Sequence, residues 1–185
     1  MDATDHLRDS LDAAVALGNR LGAQWSRGRP QSAGDIESVE AVLRLSTKLS
    51  QDVDDRALAE FLAGGARLYA ALALLADGSV DAGAARLNEL LAATQAAPRL
   101  TRPAGSPWHL HFAAPGVSLA HGWLAEFATA AAMLLGSSEY ELLKRCEADR
   151  CDLLFLDATR NHTQRFCSTA CQNRTKVAAF RARVP

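Results

Sequence analysis

With 185 residues, the chain has room for one compact domain and a small appendage, and not for two ordinary domains with separate large cores. Its 49% hydrophobic and 22% charged residues exclude a disordered chain, and a formal net charge of -1 excludes a general affinity for nucleic acid. That balance hides a polarity. Asp157 is the last acid, and Arg160, Arg165, Arg174, Lys176, Arg181 and Arg183 follow it with nothing to offset them. Such asymmetry points either to a polyanion partner at the C-terminal end or to a solvated basic helix.

Asp2, Asp5 and Asp9 stand where a secretory signal needs a positive region and an apolar run, so a cytoplasmic location is expected. Over 4–25, Leu7, Leu11, Ala14, Val15, Leu21 and Trp25 recur at three- and four-residue intervals, which predicts a first helix with these residues on one side. Gly28, Pro30 and Gly34 make 26–34 a loop. A second helix is expected from Asp35, carrying Ile36, Val39, Val42, Leu43 and Leu49, and the polar run 50–55 is suited to capping the next. The third, over 56–76, holds its spacing through Leu58, Phe61, Leu62, Leu68, Tyr69, Leu72 and Leu75. Its Gly64-Gly65 pair is expected to weaken or kink the middle at about 1 kcal/mol per glycine. Asp77-Gly78 ends it.

A fourth helix over 81–94 presents Ala84, Leu87, Leu90 and Leu91. The period then changes to two at Trp108, His109, Leu110, His111 and Phe112, predicting a short β-hairpin that turns around Ala104-Gly105. The most apolar stretch, 117–135, is interrupted by His121 and Glu126. It therefore falls short of the ~18 uninterrupted apolar residues of a membrane span and reads as a buried, central fifth helix. Ser137 or Ser138 is placed to cap a last body helix over 139–145. The fold class is thus mainly α: a helical bundle with one short β-hairpin over 1–143, then a small module over 144–185 ending in a helix.

All four cysteines fall in that module, as Cys146-x4-Cys151, a gap of fifteen residues, and Cys167-x3-Cys171. Tetrahedral zinc needs four thiolates at about 2.3 Å, and two short loops each deliver two sulfurs to one point. A pair of disulfides is the competing reading, disfavoured in a reducing compartment. Four thiolates leave no open coordination position, so the zinc is structural, and His162 is not needed as a ligand. The apolar run 153–156 and the polar turn 160–166 make a zinc-ribbon-like or treble-clef-like hairpin. Ser168 is placed to cap a final helix through Asn173, Arg174, Lys176, Phe180 and Arg183.

Cys146 to Cys151, Leu154-Phe155-Leu156-Asp157, Arg160-Asn161, Arg165-Phe166-Cys167-Ser168 and Cys171-Gln172-Asn173-Arg174 together resemble the CGNR-type zinc finger of bacterial stress-induced transcription regulators. The helix order before it and the Trp108 hairpin resemble their helical partner, the ABATE domain. The family has glycine where this chain has Gln172, a change that alters the turn into the last helix if that glycine is used at positive φ. The resemblance implies sequence-specific DNA binding by the finger and a regulatory or sensing role for the body.

The residues themselves make Arg160, Arg165, Asn173, Arg174, Lys176, Arg181 and Arg183 the candidate DNA contacts. At about 100° per residue, Arg174 and Arg181 lie together and Lys176 and Arg183 roughly opposite, so all four cannot enter one groove. Arg174 is equally suited to an ion pair with Asp157, and Asn173 to backbone groups near the metal. The expectation is a non-enzymatic DNA-binding regulator whose body dimerises or receives a small-molecule effector. A protein-docking zinc ribbon is the first alternative. The second is an enzyme or small-ligand binder using His109, His111 and His121, which no phosphate loop, nucleophile elbow or metalloprotease motif accompanies.

Overall fold

The computed structural model describes residues 3–46, 52–102 and 108–183. Helix α1 (Ala3–Gly22) buries Leu11, Ala14 and Val15 of the expected stripe, half-buries Leu7 and Leu21, and also buries Leu17, which the spacing did not single out. It stops before Trp25, because the Asp152 carboxylate accepts the N–H groups of Gln24 (3.2 Å) and Trp25 (2.8 Å). Trp25 instead opens a minimal hairpin, β1 (Trp25–Ser26) with β2 (Arg29–Pro30), inside the expected loop. Arg27 and Gly28 both have positive φ, as a two-residue I′ turn requires. Strands of two residues are too short to show a period, which is why the pattern concealed them.

Helix α2 (Ile36–Ser46) is capped by reciprocal bonds between Asp35 and Ser38 and buries Val39, Val42 and Leu43. Leu49 and the first two residues of the polar run, 50 and 51, lie outside the described residues, while the rest of that run supplies the cap of the next helix. Helix α3 (Asp55–Ala76) is capped by Asp54, whose carboxylate accepts the Ala57 N–H. It is unbroken at Gly64-Gly65. A Cβ at Gly64 would lie 2.1 Å from Leu124 Cδ1, and one at Gly65 2.5 Å from Leu21 Cδ1, so the pair serves close approach of neighbouring helices rather than a kink.

Helix α4 (Val80–Ala93) packs on α3. Strands β3 (Arg99–Thr101) and β4 (His109–His111) pair antiparallel with Leu100 opposite Leu110; their turn is outside the described residues. Helix α5 (Leu119–Leu135), capped by Ser118, is buried along most of its length. Its buried Glu126 accepts the Phe112 N–H at 2.7 Å and meets His111 Nδ1 at 3.0 Å, latching the hairpin to the bundle. The expected single central helix is corrected in one respect: α5 packs on α1, α3 and α4, but α3 touches all of α1, α2, α4 and α5. By length and composition alone α3 would reach across a membrane. Here its Phe61, Leu68 and Leu72 are wholly buried in the bundle.

A second correction falls at 139–145, where no α-helix forms. A single 3₁₀ turn (Tyr140–Leu142) runs into strand β5 (Leu143–Arg145), which pairs with β6 (Leu154–Leu156). Ser137 Oγ donates to Leu134 O and accepts the Glu139 N–H, so it closes α5 instead of opening a helix. Seven residues fit either period, and the pairing of Leu143 with Leu156 decides it. Helix α6 (Thr169–Arg181) follows, giving six helices among the described residues and a mainly α fold.

Candidate metal centre

The β5–β6 hairpin is two-faced. Leu143, Leu154 and Leu156 join the main core, while Phe155 packs against the cysteines on the other side. The hairpin therefore holds the first knuckle against the bundle. Cys146 N–H donates to Leu153 O at 2.9 Å, and Arg150, at the turn between Cys146 and Cys151, takes positive φ. The second knuckle is set by Ser168, the N-cap of α6, whose hydroxyl accepts the Cys171 N–H.

These constraints bring the four sulfurs together. Cys151 and Cys167 Sγ are 3.8 Å apart, Cys167 and Cys171 3.7 Å, and Cys171 and Cys151 3.7 Å; all four lie within 4.8 Å of one another. Four sulfurs around zinc at about 2.3 Å define a tetrahedron with an edge of about 3.8 Å, so the spacing is that of a metal site. A disulfide would need about 2.05 Å, and all four cysteines are free. Among the described residues no other cluster of three or more histidines, cysteines or carboxylates is placed to hold a metal. The donor set fits zinc, with Cys146, Cys151, Cys167 and Cys171 as its ligands, and gives it a structural rather than a hydrolytic role.

Hydrogen bonds around the sulfurs supply charge compensation. Cys167 N–H points to Cys146 Sγ at 3.4 Å, and the Arg174 guanidinium lies 3.8 Å from Cys171 Sγ. Without metal, burial pushes the Cys146 and Cys167 thiols up. At Cys171 the same upward push is outweighed by Ser168, Arg174 and the neighbouring thiols, which bring it down to about 7. Zinc must displace the remaining protons, so its affinity falls with acid.

Arg174 does not pair with Asp157, as the sequence allowed. Its Nη1 donates to the Asp149 carbonyl, and its guanidinium lies over Gly28, where a Cβ would come within 3.2 Å of it. Asp157 instead takes the Lys144 ammonium at 2.6 Å and the backbone N–H groups of Thr159 and Gln164 at 2.9 Å, pinning the polar turn between the knuckles. Burial pushes this carboxyl up, and those donors more than reverse it, holding it well below the usual carboxylate range. Gln172 is helical and not at positive φ, so the turn into α6 uses no glycine-specific conformation.

The other candidates are spread over the module. Arg165 pairs with Glu147, while Arg160, Lys176, Arg181 and Arg183 are exposed and make no ion pair with a described residue. Asn173 is exposed on α6, and His162 is exposed in the turn, outside the sulfur cluster. In the body, His109 and His111 stack edge-on at 4.8 Å. His121 lines a cavity of about 240 Å³ with Arg56, Glu60, Thr94, Gln95 and Ser118. Ser118 donates its proton to Glu60, lies 2.8 Å from His121 Nδ1 and caps α5.

What the pattern of charges and cysteines did not single out is the docking of the module. Tyr69 Oη donates to Asp152 O at 2.8 Å, Arg145 clamps Asp77 with two bonds of 2.8 Å, and the Arg150 guanidinium lies 5.3 Å from the centre of the Trp25 ring. Asn19 bonds both backbone groups of Leu154. The one available signal was Asn19 itself, a polar residue four positions after Val15 on the apolar stripe.

A two-knuckle site with a helix springing from its second knuckle defines a structural zinc finger. Residues 143–184 match the family model of the CGNR zinc finger. No curated protein matches the chain.

Proposed function

We propose that the protein is a cytoplasmic, non-enzymatic DNA-binding transcription regulator, in which zinc orders the finger and α6 meets the duplex. One observation carries the reading. Helix α6 carries the metal ligand Cys171 in its first turn, leaves all but Cys171, Arg174 and Thr175 exposed, and bears Lys176 and Arg181, with Arg183 in the turn just past its end and no acid after Asp157. A helix fixed at its N-terminus and cationic along its exposed length is suited to a nucleic-acid groove. Arg174 then serves the metal site, and Arg160, Lys176, Arg181 and Arg183 carry the phosphate contacts, with Arg165 held by Glu147.

The bundle, ABATE-like in its helix order, is the regulatory part of this reading. Its cavity beside His121 is the place for a small effector, and the shared core under β5 and β6 links bundle to finger. Selection of bound sequences from a random duplex pool tests the proposal. Enrichment of a common sequence, with affinity falling as salt rises, supports it; recovery of no DNA at low salt rejects it. A protein-docking reading that uses the body instead of the zinc ribbon draws on Leu100, Trp108 and Leu110, which are 70%, 64% and 39% exposed on the hairpin.

A further inference from the structure

Opposite its metal-bound side, α6 carries an apolar crest. Val177 and Phe180 are 48% and 69% exposed, and Asn173 is exposed beside them. At about 100° per residue these three fall within a sector of roughly 60°. Cys171 and Thr175, the inward positions, lie on the far side of the helix. Lys176 borders the crest on one flank and Arg181 on the other, Arg183 follows in the turn past the helix end, and Arg174 is turned back to Asp149.

An apolar strip with cations along both borders fits a partner that is anionic on two sides and apolar between. No acid follows Asp157 to suit a basic or neutral protein groove. The major groove of B-DNA has that form: about 12 Å wide, walled by phosphates, its apolar feature the thymine C5-methyl. A helix with side chains is about 10–12 Å across. We propose that Val177 and Phe180 pack on thymine methyl groups in the major groove, with Lys176 on one phosphate wall and Arg181 on the other. Asn173, nearest the zinc, is placed to bond an adenine N6/N7 edge. Of the cations that cannot enter one groove together, Lys176 and Arg181 thus become its two borders and Arg174 a metal-site brace. This inference rests on the DNA-binding reading above and adds a preference for A·T steps.

The test uses the zinc-loaded full chain and two duplexes, alternating dA-dT and alternating dA-dU, which differ in chemistry by the C5-methyl alone. The thymine duplex is expected to bind about fourfold more tightly for each methyl buried, from ~0.8 kcal/mol per buried group. Phe180→Ala should remove most of that difference while keeping zinc content and salt dependence, and Val177→Ala should remove part. Salt-sensitive binding that is equal for both duplexes overturns the inference and leaves the DNA-binding reading standing. Binding to neither duplex overturns both. A wild-type dimer in sedimentation that Phe180→Ala makes monomeric also overturns it, because the crest is then covered by a second copy.

Discussion

Asn19 of α1 and Leu154 of β6 exchange two hydrogen bonds: Nδ2 donates to the Leu154 carbonyl at 2.8 Å, and Oδ1 accepts the Leu154 N–H at 2.8 Å. One amide side chain thus acts as the next strand for the open edge of β6. Aspartate, which has no donor, would leave the carbonyl unsatisfied and set a charge against it. Asn19→Asp is expected to lower stability by about 1–3 kcal/mol in urea unfolding and to speed hydrogen exchange at Leu154; wild-type values of both would contradict the docking.

Gly22 lies under Tyr69, where a Cβ would come 2.3 Å from Tyr69 Cβ. Tyr69 cannot retreat without giving up its bond to Asp152 O, which holds the first knuckle. Gly22→Ala should therefore destabilise by about 1–3 kcal/mol in spite of the better helix propensity of alanine, as thermal unfolding would show.

Asp157→Asn removes the charge that pairs Lys144. The carboxyl is held below the ordinary value of about 4, so its stabilisation is present above that value and is lost as pH falls through the lower folded value. The variant should be less stable than wild type at neutral pH, with the deficit narrowing on acidification. A deficit independent of pH would mean that the charge contributes nothing.

Arg174 and Arg181 should separate cleanly. Arg174→Ala removes a donor to Cys171 Sγ and is expected to weaken zinc by about 10–100-fold in chelator competition. Arg181→Ala should leave zinc unchanged and reduce the slope of log affinity against log salt by about one.

The helices and the zinc ligands were readable because apolar period and cysteine spacing are local signals: α3 keeps its stripe through both glycines, and the two knuckles sit in one short segment. Three features were not. The 3₁₀ turn and β5 in place of a helix depend on pairing with β6, the role of Trp25 depends on Asp152, and the brace at Arg174 depends on the Asp149 carbonyl. Each is settled by a partner distant in sequence, and in each the local pattern fits two answers. Asp157, the conspicuous last acid, suggested itself as the partner of Arg174, and only the turn geometry assigns it to Lys144.

The most direct measurement is the anisotropy of a labelled duplex pool titrated with the zinc-loaded chain and with the same chain stripped of metal at low salt. Salt-sensitive binding by the loaded protein is expected to disappear on stripping and to return when zinc is restored, because α6 loses its fixed N-terminus. Equal binding by loaded and stripped chains, or none by either, would contradict this expectation.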